Sequence, residues 1–254
     1  MARHVSLLAV SFALAASAAW AQKTDSRPTL LEQFGMRPNP HVPLPHHVPV
    51  LPDYATPGCW IEAHAQGRVR DEARPAHAII VKCPAKEDNG PTGYSLALYL
   101  QNPGGGYDLA AENRTFIPTL SPEQRKFESI GLGSDPKTPP LEFKNGSLVV
   151  TMDVTALAGP TADRVLTYTL RYRDSRLWVS GLDEFIVTFR LRTVHNSYNF
   201  LTGKAQLSKG TGCAGRADAL SRCRYNGAWK QILTPRAPSL DDVGDGTTFE
   251  PKVD

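Results

Sequence analysis

The chain has 254 residues, of which 41% are hydrophobic and 21% charged, and its formal net charge is +3 at pH 7. These values are typical of an ordinary globular protein, and so small a charge does not indicate a nucleic-acid-binding protein. Past the N-terminal segment, no apolar run approaches the roughly 18 residues that a membrane-spanning helix needs, so we expect no membrane insertion.

The N-terminal segment has the pattern of a secretory signal peptide. Arg3 precedes a mostly apolar run over 5–19, and Ala19-Trp20-Ala21 has the small-x-small form that signal peptidase accepts. We therefore predict a cleavable signal peptide over 1–21 and a periplasmic or secreted protein.

A proline-rich segment follows over 22–57. It holds eight prolines, which remove backbone donors and disfavour both helix and central strand. We predict an extended arm. Its histidines, His41, His46 and His47, lack acidic or cysteine partners at fixed spacing, so they indicate a solvated linker rather than a metal site.

Residues 58–234 show one short strand pattern after another and predict an all-β domain of antiparallel sheets, either a sandwich or a curved meander, with at most one short helix. The clearest alternation sets Leu166, Tyr168, Leu170 and Tyr172 on one face. The helical candidate is 121–127, with Ser121 as N-cap.

Turn residues support this reading of the chain. Asn145-Gly146 and Asn226-Gly227 each lie between strand patterns and fit the type I′ hairpin turn. Asp174-Ser175 fits a further hairpin tip. Thr202-Gly203-Lys204 resembles the end of a phosphate-binding loop, but Tyr198 and Ala205 occupy positions where that motif needs Gly and Ser or Thr, so it predicts a turn.

The chain has four cysteines, and an exported protein meets an oxidising compartment. No C-x-x-C pair indicates a zinc site. We predict two disulfides, Cys213 with Cys223 and Cys59 with Cys83. Four cysteines allow three pairings, and the favoured one closes the shortest local loop.

The last segment, 235–254, contains prolines and acidic residues without a hydrophobic period, and predicts an acidic disordered tail. Asp241, Asp242 and Asp245 suggest a calcium loop. However, Val243 and Lys252 stand where such a loop needs an oxygen ligand and a glutamate. We predict no metal site and no cofactor.

Four residues are predicted to contribute to binding: Trp178, Asp183, His195 and Tyr198. Asp183 and Glu184 are adjacent on a strand and should point to opposite faces, so they cannot serve as an acid and base pair. His195 and Ser197 share a face, but no G-x-S-x-G elbow accompanies the serine. No catalytic residue is predicted.

The sequence therefore favours a non-enzymatic binding protein of the bacterial envelope, of the inhibitor or immunity type, with an envelope protein as partner. Two alternatives stay open, a hydrolase of an envelope polymer and a structural or adhesive envelope component. A cleft holding His195 and Asp183 would favour the enzyme, whereas a flat aromatic patch with a basic rim would favour the binding protein.

Overall fold

The structure is a computed structural model of the chain. It describes residues 44–49, 59–70, 72–83, 93–120, 124–133, 138–158, 162–188, 192–211, 223–233 and 237–254. The predicted signal peptide, most of the proline-rich arm and Cys213 lie outside the described residues.

The chain forms two antiparallel sheets, the first with five strands in the order β1-β5-β4-β3-β2. Its strands are β1 (His47–Val48), β2 (Trp60–Gly67), β3 (Ala76–Cys83), β4 (Gly93–Gln101) and β5 (Tyr107–Asn113). Because β2 to β5 pair consecutively, they form a meander.

The second sheet has eight strands in the order β13-β12-β11-β10-β9-β8-β6, and β7 also pairs with β8. Its strands are β6 (Glu128–Gly131), β7 (Leu141–Lys144), β8 (Ser147–Ala156), β9 (Asp163–Arg173), β10 (Arg176–Val187), β11 (Thr193–Asn199), β12 (Lys204–Thr211) and β13 (Arg224–Gln231). The predicted all-β fold is confirmed.

Helical structure is minor in the described part of the chain. A 3-10 helix, Gln124–Lys126, lies where the sequence predicts a short helix over 121–127. One α-helical turn, α1 (Leu240–Val243), lies near the C-terminus.

Residues with positive φ form two of the predicted hairpin tips. Asn145 and Gly146, with φ of 52° and 75°, join β7 to β8, and Asp174 and Ser175, with φ of 52° and 59°, join β9 to β10. The other predicted type I′ turn, Asn226-Gly227, is wrong, because both residues lie inside β13.

The two sheets share one hydrophobic core between their facing sides. Leu96 and Leu98 contribute from the first sheet, and Leu148, Tyr168 and Leu170 from the second. On β9, the core residues Leu166, Tyr168 and Leu170 alternate with residues that point outward, which is the period of two that the sequence predicts for this strand. The core thus fixes which face of each strand of the second sheet points outward.

A second apolar cluster lies on the other side of the first sheet. Leu44 and Val48 pack there on Ile79, Val81 and Tyr99. The Tyr99 hydroxyl donates to the carbonyl of Pro45 at 3.0 Å. Residues 44–48 of the predicted arm thus pack on this sheet face.

A disulfide joins Cys59, which precedes β2, to Cys83 at the end of β3. This pairing was predicted and is confirmed. Cys223 is also disulfide-bonded. The predicted pairing of Cys223 with Cys213 falls on a residue outside the described ones.

The prediction of an acidic disordered tail is wrong for 237–254. Leu240 and Val243 are buried in the shared core. Ile232 and Val253 form a β-bridge. The Tyr168 hydroxyl donates to the carbonyl of Gly246 at 2.6 Å. A few apolar contacts and one buried hydrogen bond therefore dock a mostly polar segment.

Candidate functional site

The outer face of the eight-stranded sheet carries two of the residues that the sequence predicts for binding. Strand pairing places Asp183 opposite Ser197, and Phe185 opposite His195. Since side chains alternate along a strand and Leu182 points into the core, Asp183 and Phe185 point outward.

Strand register extends this arrangement into two parallel rows of outward side chains. The first row runs Thr167, Asp183, Ser197, Gln206, Trp229, and the second runs Val165, Phe185, His195, Ser208, Gly227. Most members are small or polar. The face is therefore a broad platform with aromatic rings at particular places, which we call the outer platform.

Asp183 and His195 contact each other on the outer platform. His195 Nε2 lies 3.5 Å from Asp183 Oδ1, and the side chains are 37% and 51% exposed. An ion pair this exposed contributes at most about 1 kcal/mol to stability, because water screens it. Folding therefore gains little from the pair, and both groups remain accessible to a ligand.

Three rings form a cluster beside this pair. The centroids of Phe185, His195 and Tyr225 lie 5.5 to 5.8 Å apart. The Tyr225 hydroxyl oxygen is buried and has no hydrogen-bond partner among the described residues. A buried polar atom without a partner is costly to the fold.

The sequence did not single out Phe185 or Tyr225. Phe185 could have been found, because it lies two residues after Asp183 and so shares its face. Tyr225 was assigned to the end of a hairpin strand beside Asn226-Gly227, which gave no reason to place it next to His195. Only the pairing of β11, β12 and β13 brings it there.

Tyr198 is not part of the outer platform. It is 8% exposed and belongs to the shared core, and burial raises its pKa to about 12, with Glu184 adding to the shift. Glu184 accepts a hydrogen bond from Asn196 Nδ2 at 3.1 Å and pairs across the sheet with Asn196 rather than with Ser197. The prediction of Tyr198 as a surface binding residue is therefore wrong.

Trp178 lies apart from Asp183 and His195. Its indole Nε1 donates to the carbonyl of Arg173 at 3.0 Å, near the tip of the β9–β10 hairpin. Trp178 lies five positions before Asp183 on β10, which at ~3.3 Å per residue is roughly 16 Å. The structure thus brings together only two of the four predicted binding residues.

Two cavities lie away from Asp183 and His195, and one of them reaches the outer platform at Trp229. One, of about 300 Å³, lies between the sheets and is lined by residues that include Lys82, Tyr94 and Glu128. The other, of about 390 Å³, lies at Lys204, Trp229 and neighbouring residues of the β12–β13 hairpin. Neither cavity is lined by Asp183 or His195.

Asp183, His195 and Ser197 are neighbours on the outer platform, as the members of a hydrolase triad would be. A triad needs the serine hydroxyl hydrogen-bonded to the histidine. The described interactions include the Asp183–His195 contact but no bond from Ser197 to His195. Within the described residues, no group of three His, Cys, Asp or Glu side chains could hold a metal ion.

Comparisons with known proteins give no relative. No protein-family model matches this chain, and neither a curated protein nor a solved structure is similar to it.

Proposed function

We propose that this chain is an exported, non-enzymatic binding protein of the bacterial envelope that holds an envelope protein partner on its outer platform. The observation that carries this proposal is the position of Asp183 and His195. They lie on the outward face of the eight-stranded sheet beside two aromatic rings, and neither of the two cavities described above is lined by them.

The chemistry of the outer platform suits protein recognition. Interfaces gain most of their binding energy from a few aromatic and charged side chains near their centre. Phe185 and Tyr225 supply rigid ring surface, and the Asp183–His195 pair supplies a donor and an acceptor.

The Cys59–Cys83 disulfide supports export, because such bonds persist in oxidising compartments. The signal-peptide pattern over 1–21 supports the same conclusion. Within the described residues, the longest helices are too short and too polar to cross a membrane.

The test is capture of a partner from an envelope extract with the mature, oxidised protein as bait. We expect one stoichiometric protein partner. Phe185→Ala should weaken its binding by about 2 kcal/mol, roughly 30-fold in Kd. Phe127→Ala is the matched control, because Phe127 is an exposed phenylalanine away from the outer platform. Equal binding by both variants, or no partner at all, would contradict the proposal.

The neighbouring positions of Asp183, His195 and Ser197 favour a hydrolase of an envelope polymer as the second candidate. That function predicts release of soluble fragments from purified envelope polymers and loss of release in Ser197→Ala. A binding protein would release no fragments, either as the wild type or as Ser197→Ala.

A further inference from the structure

Among the described strands, none pairs with the outer side of β13 (Arg224–Gln231). This strand pairs with β12 on one side and stands at the end of the sheet order. Seven of its residues are exposed, all except Tyr225, and the Trp229 side chain is 68% exposed. Natural proteins usually cover or blunt so long an edge, because its free backbone groups can pair with another strand.

The directions of the backbone groups follow from hydrogen bonds at the end of β13. Gln231 N–H donates to Asp254 Oδ1 at 2.9 Å, and its carbonyl accepts from the Asp254 N–H at 3.1 Å. The Ile232 N–H instead donates to Gly203, on the β12 side, at 2.8 Å. Since backbone groups alternate along a strand, Tyr225, Gly227 and Trp229 direct their N–H and C=O groups to the open edge.

Another part of the chain already uses this edge. Val253 bridges Ile232, and the Leu233 N–H donates to the carbonyl of Lys252 at 2.8 Å. This pairing reaches Gln231, and no described strand pairs with the edge from Arg224 to Lys230. A further strand placed there would continue an existing line of antiparallel pairing.

Charge indicates the kind of strand that fits. Strands β12 and β13 carry Lys204, Lys209, Arg224 and Lys230, and neither strand has an acidic residue. All four cationic residues are exposed. A second copy of this hairpin would meet like charge, whereas an acidic strand would meet opposite charge. The carboxylate of Asp254 already accepts a hydrogen bond at the end of the edge.

We propose that the open edge of β13 binds an extended acidic segment of a protein partner as an added antiparallel strand, with Trp229 packing on its side chains. Main-chain hydrogen bonds to Gly227 and Trp229 give this mode its affinity, and the basic hairpin gives its preference for acidic sequence. The inference rests on the proposed function, because it names the partner segment and the edge that the segment takes.

The test uses a short capped peptide in which glutamate alternates with valine or threonine, and a counterpart with lysine for each glutamate. Calorimetry should show binding of the acidic peptide and at least tenfold weaker binding of the lysine peptide. Hydrogen exchange measured by NMR should slow at the amides of Gly227 and Trp229 when the acidic peptide is bound.

Two variants separate edge pairing from simple charge attraction. Trp229→Pro removes an edge-facing N–H that no described strand uses, so the fold should survive while peptide binding is lost. Trp229→Ala keeps that N–H and should bind about tenfold more weakly, still with amide protection at Gly227. Lys204→Glu combined with Lys230→Glu should reverse the preference between the two peptides.

Unchanged peptide binding by Trp229→Pro would overturn the inference, as would failure of the acidic peptide to bind. Concentration-dependent dimers of the free protein that vanish in Trp229→Pro would assign the edge to a second copy instead. Capture of a partner without peptide binding would leave the proposed function standing and remove only this inference. Peptide binding without any captured partner would support strand addition at this edge and contradict the proposed function.

Discussion

His64 and His77 share a short hydrogen bond on the outer side of the five-stranded sheet, where His64 Nε2 lies 2.7 Å from His77 Nδ1. The rings stack with centroids 5.0 Å apart, and Tyr107 packs edge-on against His77. One ring must donate and the other accept, so the bond exists only while at least one histidine is neutral.

This pair predicts a loss of stability in weak acid. Burial lowers the pKa of His77 below its ordinary value of 6.5, and the charge of His64 lowers it further; burial also lowers the pKa of His64. The unfolded chain therefore binds more protons than the folded one as pH falls through 6.5, so the free energy of unfolding decreases. Above that pH the two histidines contribute no pH dependence.

Urea unfolding at a series of pH values measures this effect. The midpoint should fall between about pH 7 and about pH 5, and the fall should be smaller in His77→Gln. His46→Gln is the control, since His46 is exposed at the end of the arm. A slope in His77→Gln as steep as in the wild type would exclude this histidine as its source.

The Cys59–Cys83 bond predicts a second effect on stability. It spans 24 residues of sequence, and closing a loop of that length contributes about 3 kcal/mol by restricting the unfolded chain. The double variant Cys59→Ser, Cys83→Ser should lower the free energy of unfolding by about that amount. Denaturant unfolding of the oxidised proteins measures it, and a loss near zero would show that the bond does not restrain the unfolded state.

The C-terminal segment predicts a third effect. Leu240 is buried in the shared core, and the Ser239 hydroxyl and the Asp242 carboxylate form the capping box of α1. Leu240→Ala should destabilise the protein by about 2 to 5 kcal/mol, and Ser239→Ala by about 1 kcal/mol. Lys252→Ala, at an exposed side chain, is the control. A frayed tail would instead give all three variants the stability of the wild type.

Sequence periodicity predicted the sheets where one face of a strand is buried. Leu166, Tyr168 and Leu170 alternate with polar residues because the core selects one face only. The same rule could have corrected one site prediction, since His195 and Tyr198 are three residues apart and must lie on opposite faces. It could not place Tyr225 beside His195, because that neighbourhood depends on which strands pair.

The sequence did not predict the packing of the C-terminal segment, 237–254, for a different reason. A single helical turn is too short to show a hydrophobic period, and most residues around Leu240 and Val243 are polar. One local signal was present, because Ser239 and Asp242 have the spacing of a capping box. The buried hydrogen bond from Tyr168 to Gly246 joins residues 78 apart and has no local signature.

Asn226-Gly227 shows that a dipeptide typical of hairpin turns can also lie inside a strand. In β13, Gly227 lies opposite Ser208, and a Cβ at this position would collide with the Ser208 hydroxyl and approach its Cβ to 3.1 Å. Glycine is needed here because the two strands approach closely around a buried serine, and not because φ is positive. Gly227→Ala should therefore destabilise the β12–β13 hairpin by about 1 kcal/mol, the cost of forcing a side chain off its preferred rotamer.

A double-mutant cycle tests that reason. Ser208→Gly removes the colliding hydroxyl, so Gly227→Ala should cost much less in that background, and the coupling free energy should be about 1 kcal/mol. Chemical denaturation of the four proteins measures the cycle, and amide exchange in β12 and β13 localises it. If Asn226-Gly227 were instead a tight turn, the cost of Gly227→Ala would come from its own backbone, and Ser208→Gly would not reduce it.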